Sequence, residues 1–159
     1  MSPEPAGSAN PAAPAGVPEG FKPRNLGGGF MGVNGPIYFR KFEGGIQLGF
    51  RVEERHCNPM GVCHGGMIAT FADMVCATGG HATSEAAKNR FLPTISLQLD
   101  YMAPARLGSW VQGSASVLRA TRSMLFLHGL VTADGEPAAR ISGIFKIGPE
   151  FSGLQRPAS

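Results

Sequence analysis

The stretch from residue 65 to residue 80 constrains the fold of this chain most. It opens on Gly65-Gly66, runs through Met67, Ile68, Ala69, Thr70, Phe71, Ala72, Met74, Val75, Cys76 and Ala77, and reaches a second pair, Gly79-Gly80. This pattern predicts a single helix, with the second glycine pair as its C-terminal stop. The helix is apolar nearly all round, so it is expected to be buried, most simply by a sheet wrapped about it. Its one acid, Asp73, then lies in a largely apolar setting. A carboxylate there is either a structural group satisfied by nearby donors or a group held for base chemistry.

The approach to the helix favours the second reading. Glycines at a helix start leave backbone N–H groups unpaired and approachable, and the helix dipole makes the spot attractive to a developing negative oxygen. Asn58 and His64, on the same loop, add further donors and acceptors. Each also has a plainer role available: His64 as a helix cap, Asn58 closing an Asx turn, Gly66 allowing close packing. Gly65 and Asp73 are eight positions apart, which on one helix is about 12 Å along the axis. That is too far for both to act on one carbonyl and its attacking water, so a shared reaction requires two chains.

Strands are expected on both sides of this helix. Segments 36–42 and 46–52 read as a pair joined through Glu43-Gly44-Gly45. In 94–101 the residues Ile95, Leu97, Leu99 and Tyr101 alternate with Thr94, Ser96, Gln98 and Asp100, a period-two strand. Segments 109–118, 124–132 and 138–147 follow, the last two linked across Asp134-Gly135, a hairpin signal. A short helical turn is expected near 84–88. About six strands and one long inserted helix make an α+β domain, an antiparallel sheet curled about that helix. Residues 1–29, rich in Pro, Ala and Gly, are expected to form a flexible tail outside a domain of residues 30–150, with a second tail at 151–159.

At 159 residues the chain suits one domain with a sizeable core. A formal charge of only +3 gives a mild bias toward anionic ligands and no nucleic-acid signature. Three cysteines, Cys57, Cys63 and Cys76, lack metal or redox spacing, so reduced thiols are expected. A zinc site built from His56, Cys57, Cys63 and His64 is a weaker reading than a loop feeding an active-site helix. No apolar run is long enough to span a membrane and no signal peptide is seen, so a cytoplasmic location is expected.

Asn58, Gly61, His64-Gly65-Gly66 and Asp73 together resemble the N-x-x-G-x-x-H-G-G-x-x-x-x-x-x-D signature of the hotdog-fold acyl-CoA thioesterases, in particular the phenylacetate-pathway group. The run Tyr101-Met-Ala-Pro104-Ala-Arg-Leu-Gly108 is similar to that family's Y-x-x-P-x-x-x-G strand end. The resemblance spans residues 36–148 and supplies the name hotdog for the fold. It implies acyl-CoA hydrolysis without metal or cofactor, by a homodimer that assembles into a homotetramer. Asp73 would be the base or nucleophile, and the Gly65 N–H would polarise the thioester carbonyl. Asn58, His64 and Thr94 would orient water and carbonyl. Arg119 and Arg122, between two strands, would offer guanidinium groups to coenzyme A phosphates, with Gly66 beside the substrate. Met31, Phe91, Leu92 and Met102 are candidate acyl-pocket walls or ordinary core. Two rival functions remain open at this point: a hotdog hydratase or dehydratase acting on enoyl or hydroxyacyl thioesters, and a non-catalytic acyl-CoA binding protein.

Overall fold

The structure, a computed structural model, describes residues 16–153. Its strands are β1 (Lys22–Arg24), β2 (Ile37–Phe42), β3 (Gly45–Arg51), β4 (Thr94–Tyr101), β5 (Trp110–Ala120), β6 (Met124–Ala133) and β7 (Glu136–Lys146), and its α-helices are α1 (Gly29–Asn34) and α2 (Gly65–Thr83). The strands form one sheet in the order β1-β2-β3-β5-β6-β7-β4, antiparallel throughout. The long helix α2 packs on it, mainly against β5. This is the hotdog arrangement expected from the sequence, with one strand more.

Local chemistry sets the register. β6 and β7 are joined by Asp134-Gly135 alone, with Ala133 paired to Glu136. Both turn residues have positive φ, 48° and 89°, the geometry whose twist matches a two-residue hairpin. Asp134 also accepts the Trp110 N–H at 2.8 Å, which ties the turn to the start of β5. Along the strands the fully buried side chains recur at a period of two, as in Leu125 and Leu127 on β6. They meet Met67, Ile68, Phe71, Ala72, Val75 and Cys76 of α2 in one core.

Two expectations need correction. Gly79-Gly80 does not stop the helix, which continues to Thr83. Both glycines are buried inside it, and a Cβ at Gly79 would lie 2.2 Å from the Ala115 carbonyl oxygen. The pair therefore lets α2 approach β5 closely, a tertiary demand that a helix-stop rule does not see. The second correction concerns residues 1–29. Lys22–Arg24 pair with β2 as an edge strand, and Phe21 is buried against Tyr38 and Trp110, its ring centroid 5.0 Å from that of Trp110. The flexible-tail reading thus fails for this part of the segment, while residues 1–15 lie outside the described residues. At the other end, Phe151 donates its N–H to the Asn89 carbonyl at 2.9 Å; residues 154–159 lie outside the described residues.

Two surfaces are left uncovered by this chain. The sheet covers one side of α2, while Thr70, Asp73, Met74, Ala77 and His81 on the other remain only half-buried. β4 pairs with β7 alone, and its Ile95 and Tyr101 are 54% and 55% exposed.

Candidate active site

The two surfaces meet at Asp73. It projects from the half-covered side of α2 toward β4, where Thr94, the first residue of that strand, donates its hydroxyl to Asp73 Oδ1 at 2.5 Å. Cys76 lies near enough to feel the acid. Burial, with the Asp73 charge as a smaller cause, pushes its thiol up to about 12. Thr94 brings to the carboxylate a hydroxyl that can donate one hydrogen bond and accept others.

A different kind of chemistry occupies the helix start. His64 is the N-cap residue, and its Nδ1 accepts the Gly66 N–H at 2.9 Å. The Met67 and Ile68 N–H groups bond to the His64 carbonyl at 2.9 and 3.2 Å. Among the described residues no acceptor is found for the Gly65 N–H, the first amide of α2. The helix dipole adds to its pull on a negative oxygen. Asn58 Oδ1 accepts from the Met60 N–H at 2.9 Å and the Val62 N–H at 3.4 Å, an Asx-type turn that shapes the approach loop. His56, next to this loop, has both ring nitrogens engaged, Nδ1 accepting from the Glu53 N–H and Nε2 bonded to the Asn34 carbonyl, each at 3.0 Å. The plainer roles of His64 and Asn58, as cap and turn, are therefore real. They leave the His64 Nε2 and the Asn58 amide nitrogen for other work.

Sequence reasoning missed the residue that holds this helix start in place. Tyr101, at the far end of β4 from Thr94, donates its hydroxyl to the Gly65 carbonyl at 2.7 Å. Burial raises its phenol above the ordinary value, so it stays a donor at neutral pH. With Cys63, Gly65, Ile68 and Met102 it lines a cavity of about 330 Å³. In the sequence Tyr101 stands only on the alternating face of a strand and in a strand-end motif, because its contact depends on how β4 lies across α2. Of the other candidate wall residues, Leu92 is core, Met31 packs partly buried against the core and Phe91 is 45% exposed.

The arginines lie at the Thr94 end. Arg119 follows a register shift in β5, and Arg122 sits in the turn closed by the Thr121 N–H to the Met124 carbonyl at 2.8 Å. Both are exposed, and neither forms an ion pair among the described residues. The register Ala120–Leu125–Phe145–Thr94 puts their turn three strand spacings from Thr94, about 14 Å.

Residues 60–139, half of the chain, match the thioesterase superfamily. The chain belongs to the thioesterase superfamily. The match begins in the Asn58 loop and includes α2, β4, β5 and β6, so all of the Asp73, Thr94, Gly65 and Tyr101 arrangement falls inside it. A protein of Pseudomonas aeruginosa provisionally named an esterase is 28% identical over 132 residues, covering 82% of this chain and 97% of its own. Human acyl-coenzyme A thioesterase 13 is 32% identical over 76 residues, 48% of this chain and 52% of the human one. The present chain thus matches about half the length of that relative. The crystal structure of zebra fish thioesterase superfamily member 2 superposes with a TM-score of 0.68 at 25% identity, covering 78% of this chain and 90% of that one. As a thioesterase superfamily member, the chain has the hotdog fold. Among its described residues no helix is long and apolar enough to cross a membrane.

Proposed function

We propose that this thioesterase hydrolyses acyl-CoA esters at sites each completed by a second copy of the chain. The observation that carries the reading is the hydrogen bond from Thr94 to Asp73, which sets a carboxylate and a water-holding hydroxyl side by side on an uncovered surface. Asp73 takes a proton from water as the water oxygen attacks the thioester carbonyl, and Thr94 holds that water. The carbonyl oxygen becomes an oxyanion against the Gly65 N–H of the second copy, with His64 and Asn58 orienting groups around it and Gly66 leaving room for the substrate. Collapse breaks the carbon–sulfur bond, and the proton leaves Asp73 with the coenzyme A sulfur. Every group in this sequence comes from side chains and one backbone amide, so neither metal nor redox cofactor is required.

The second copy follows from β4. Asp73 with Thr94 lies at one end of that strand and Gly65 with Tyr101 at the other. If two β4 edges paired antiparallel about a two-fold axis, Thr94 of each would lie opposite Tyr101 of the other, and two complete sites would form. Such a dimer also covers the exposed Ile95 and Tyr101, and two dimers would make the expected tetramer. Arg119 and Arg122, at the Thr94 end, would hold phosphates of coenzyme A. Their replacement by Ala is expected to raise KM for acyl-CoA more than it lowers kcat, and to have little effect on an acyl-pantetheine substrate.

Free thiol released from short, long and aromatic acyl-CoAs tests the reading directly. Hydrolysis of at least one class, lost in Asp73→Asn and indifferent to chelator, is expected; no hydrolysis of any class would overturn it.

A further inference from the structure

A third polar feature of α2 lies away from the reacting groups. Thr78 is buried, and its Oγ1 accepts a hydrogen bond from Arg24 Nη1 at 2.7 Å. Arg24 comes from the edge strand β1 and has no carboxylate within ion-pairing distance among the described residues. Desolvation by burial lowers its pKa, the mark of a guanidinium held partly out of water without a counter-charge. The two side chains line a cavity of about 310 Å³ whose other walls are Phe39, Ile46 and His81.

The polar end of this cavity is rich in donors, and among the described residues no carboxylate lines it. A guanidinium carries five N–H donors, and one is committed to Thr78. Thr70 and Thr83, the other threonines with hydroxyls on this helix's hydrogen-bond ladder, donate to the carbonyls four residues back, at 2.9 and 2.8 Å. Among the described residues Thr78 has no such acceptor, so its proton is free to point into the cavity. The His81 Nε2 is taken by the Arg90 carbonyl at 2.8 Å. An occupant that satisfies this end carries negative charge on oxygen, and one that fits between Phe39 and Ile46 is otherwise apolar.

Asp73 and Thr78 flank the half-covered strip of α2 that carries Met74 and Ala77. They are five residues apart on a helix about 10 Å wide, hence about 12 Å from one another across the strip. We propose that the Arg24–Thr78 cavity binds the far end of the acyl group and selects medium-length acyl chains ending in a carboxylate, the mono-CoA thioesters of dicarboxylic acids. This rests on the thioesterase reading above, with Asp73 at the thioester and the acyl chain lying along the same copy's α2.

The test compares octanoyl-CoA with suberyl-CoA, equal in length and differing in the terminal carboxylate, for the wild-type chain, Arg24→Met and Thr78→Val. The wild type is expected to prefer suberyl-CoA. Arg24→Met should lower its kcat/KM for suberyl-CoA by about 10- to 100-fold, the range of a hydrogen-bonded charge, and leave octanoyl-CoA unchanged or improved. Thr78→Val, which keeps the guanidinium, should show a smaller loss on suberyl-CoA alone. Calorimetric titration with free suberate and with uncharged 1-octanol reads the cavity without any reaction; suberate should bind in an Arg24-dependent way, and octanol, which lacks a carboxylate, should not. Equal turnover of the two thioesters by the wild type, or equal losses on both in Arg24→Met, would overturn the proposal while leaving the thioesterase reading intact. Arg24-dependent suberate binding with no thioester hydrolysed would sink the hydrolytic reading and keep the anion site. A shift in oligomeric state in Arg24→Met, without a change in substrate preference, would mean that a second copy fills the cavity, and the proposal would fall.

Discussion

In the proposed reaction the two ends of β4 carry the two halves in different materials. At Thr94 the chemistry is in side chains, a carboxylate and a hydroxyl 2.5 Å apart. At Tyr101 it is in the backbone, a Gly65 amide with no acceptor among the described residues, whose position is fixed by the His64 cap, the Asn58 turn and the Tyr101 hydroxyl. A side-chain half fails outright when its one acid is changed. A backbone half degrades by steps, because no single side chain is the reacting group and several share the work of holding it.

The largest expected effect is therefore at Asp73. Asp73→Asn keeps the shape and removes the base, so kcat should fall by roughly 10² or more. Circular dichroism should show the fold unchanged, since a neutral amide costs less to bury than a carboxylate. Parental turnover by this variant would make the Thr94 end a structural feature only.

Complementation asks whether the two ends serve one reaction from two chains. Asn58→Ala loosens the Gly65 half, and Asp73→Ala removes the other. Each homodimer is expected to be poorly active. In random co-expression half of the dimers are mixed, each with one intact site of two, so about a quarter of parental activity should return. Confirmed mixed dimers with no gain in activity would place both halves within one chain and dissolve the comparison.

Thr94→Val removes a hydroxyl bonded to a carboxylate, and a kcat loss of about tenfold or somewhat more is expected, at little cost in KM. A change confined to thermal stability would assign Thr94 to strand packing.

How far the sequence displayed these features follows the same division. Asp73 stood out because a lone acid in an apolar helix is anomalous in one dimension, and Asp134-Gly135 because the turn needs two positive φ values that few residue pairs supply. Thr94 was legible through a family resemblance, while its bond to Asp73 needed the structure. The backbone half was legible as a glycine-rich helix start, and its support was not, since the Tyr101 to Gly65 contact joins positions 36 residues apart. Gly79 misled for a related reason. A glycine that ends a helix and a glycine that admits a neighbouring strand look alike in sequence, and only the Ala115 carbonyl beside it tells them apart. β1 was hidden because three residues are too few to show a period. Its buried anchor, Phe21, pairs with Trp110 from a distant strand.

The smallest expected effect sharpens the comparison most. Tyr101→Phe deletes one neutral hydrogen bond to the Gly65 carbonyl and keeps the ring, so about 1 kcal/mol is at stake, or about fivefold in rate. If the hydroxyl aligns the first peptide of α2, the loss falls on kcat, because the Gly65 N–H meets the oxyanion in the transition state more strongly than the carbonyl in the ground state. KM for acyl-CoA should stay near its parental value, since phosphate and acyl contacts lie elsewhere. A purely structural hydroxyl would instead lower Tm with kcat unchanged. Combining Tyr101→Phe with Thr94→Val separates the halves once more. Groups at opposite ends of β4 in one chain but against each other across two copies should show losses that depart from simple addition, whereas halves that never meet should add. Simple addition in a dimer shown to be intact would remove Tyr101 from the site and leave the Gly65 amide supported by the His64 cap and the Asn58 turn.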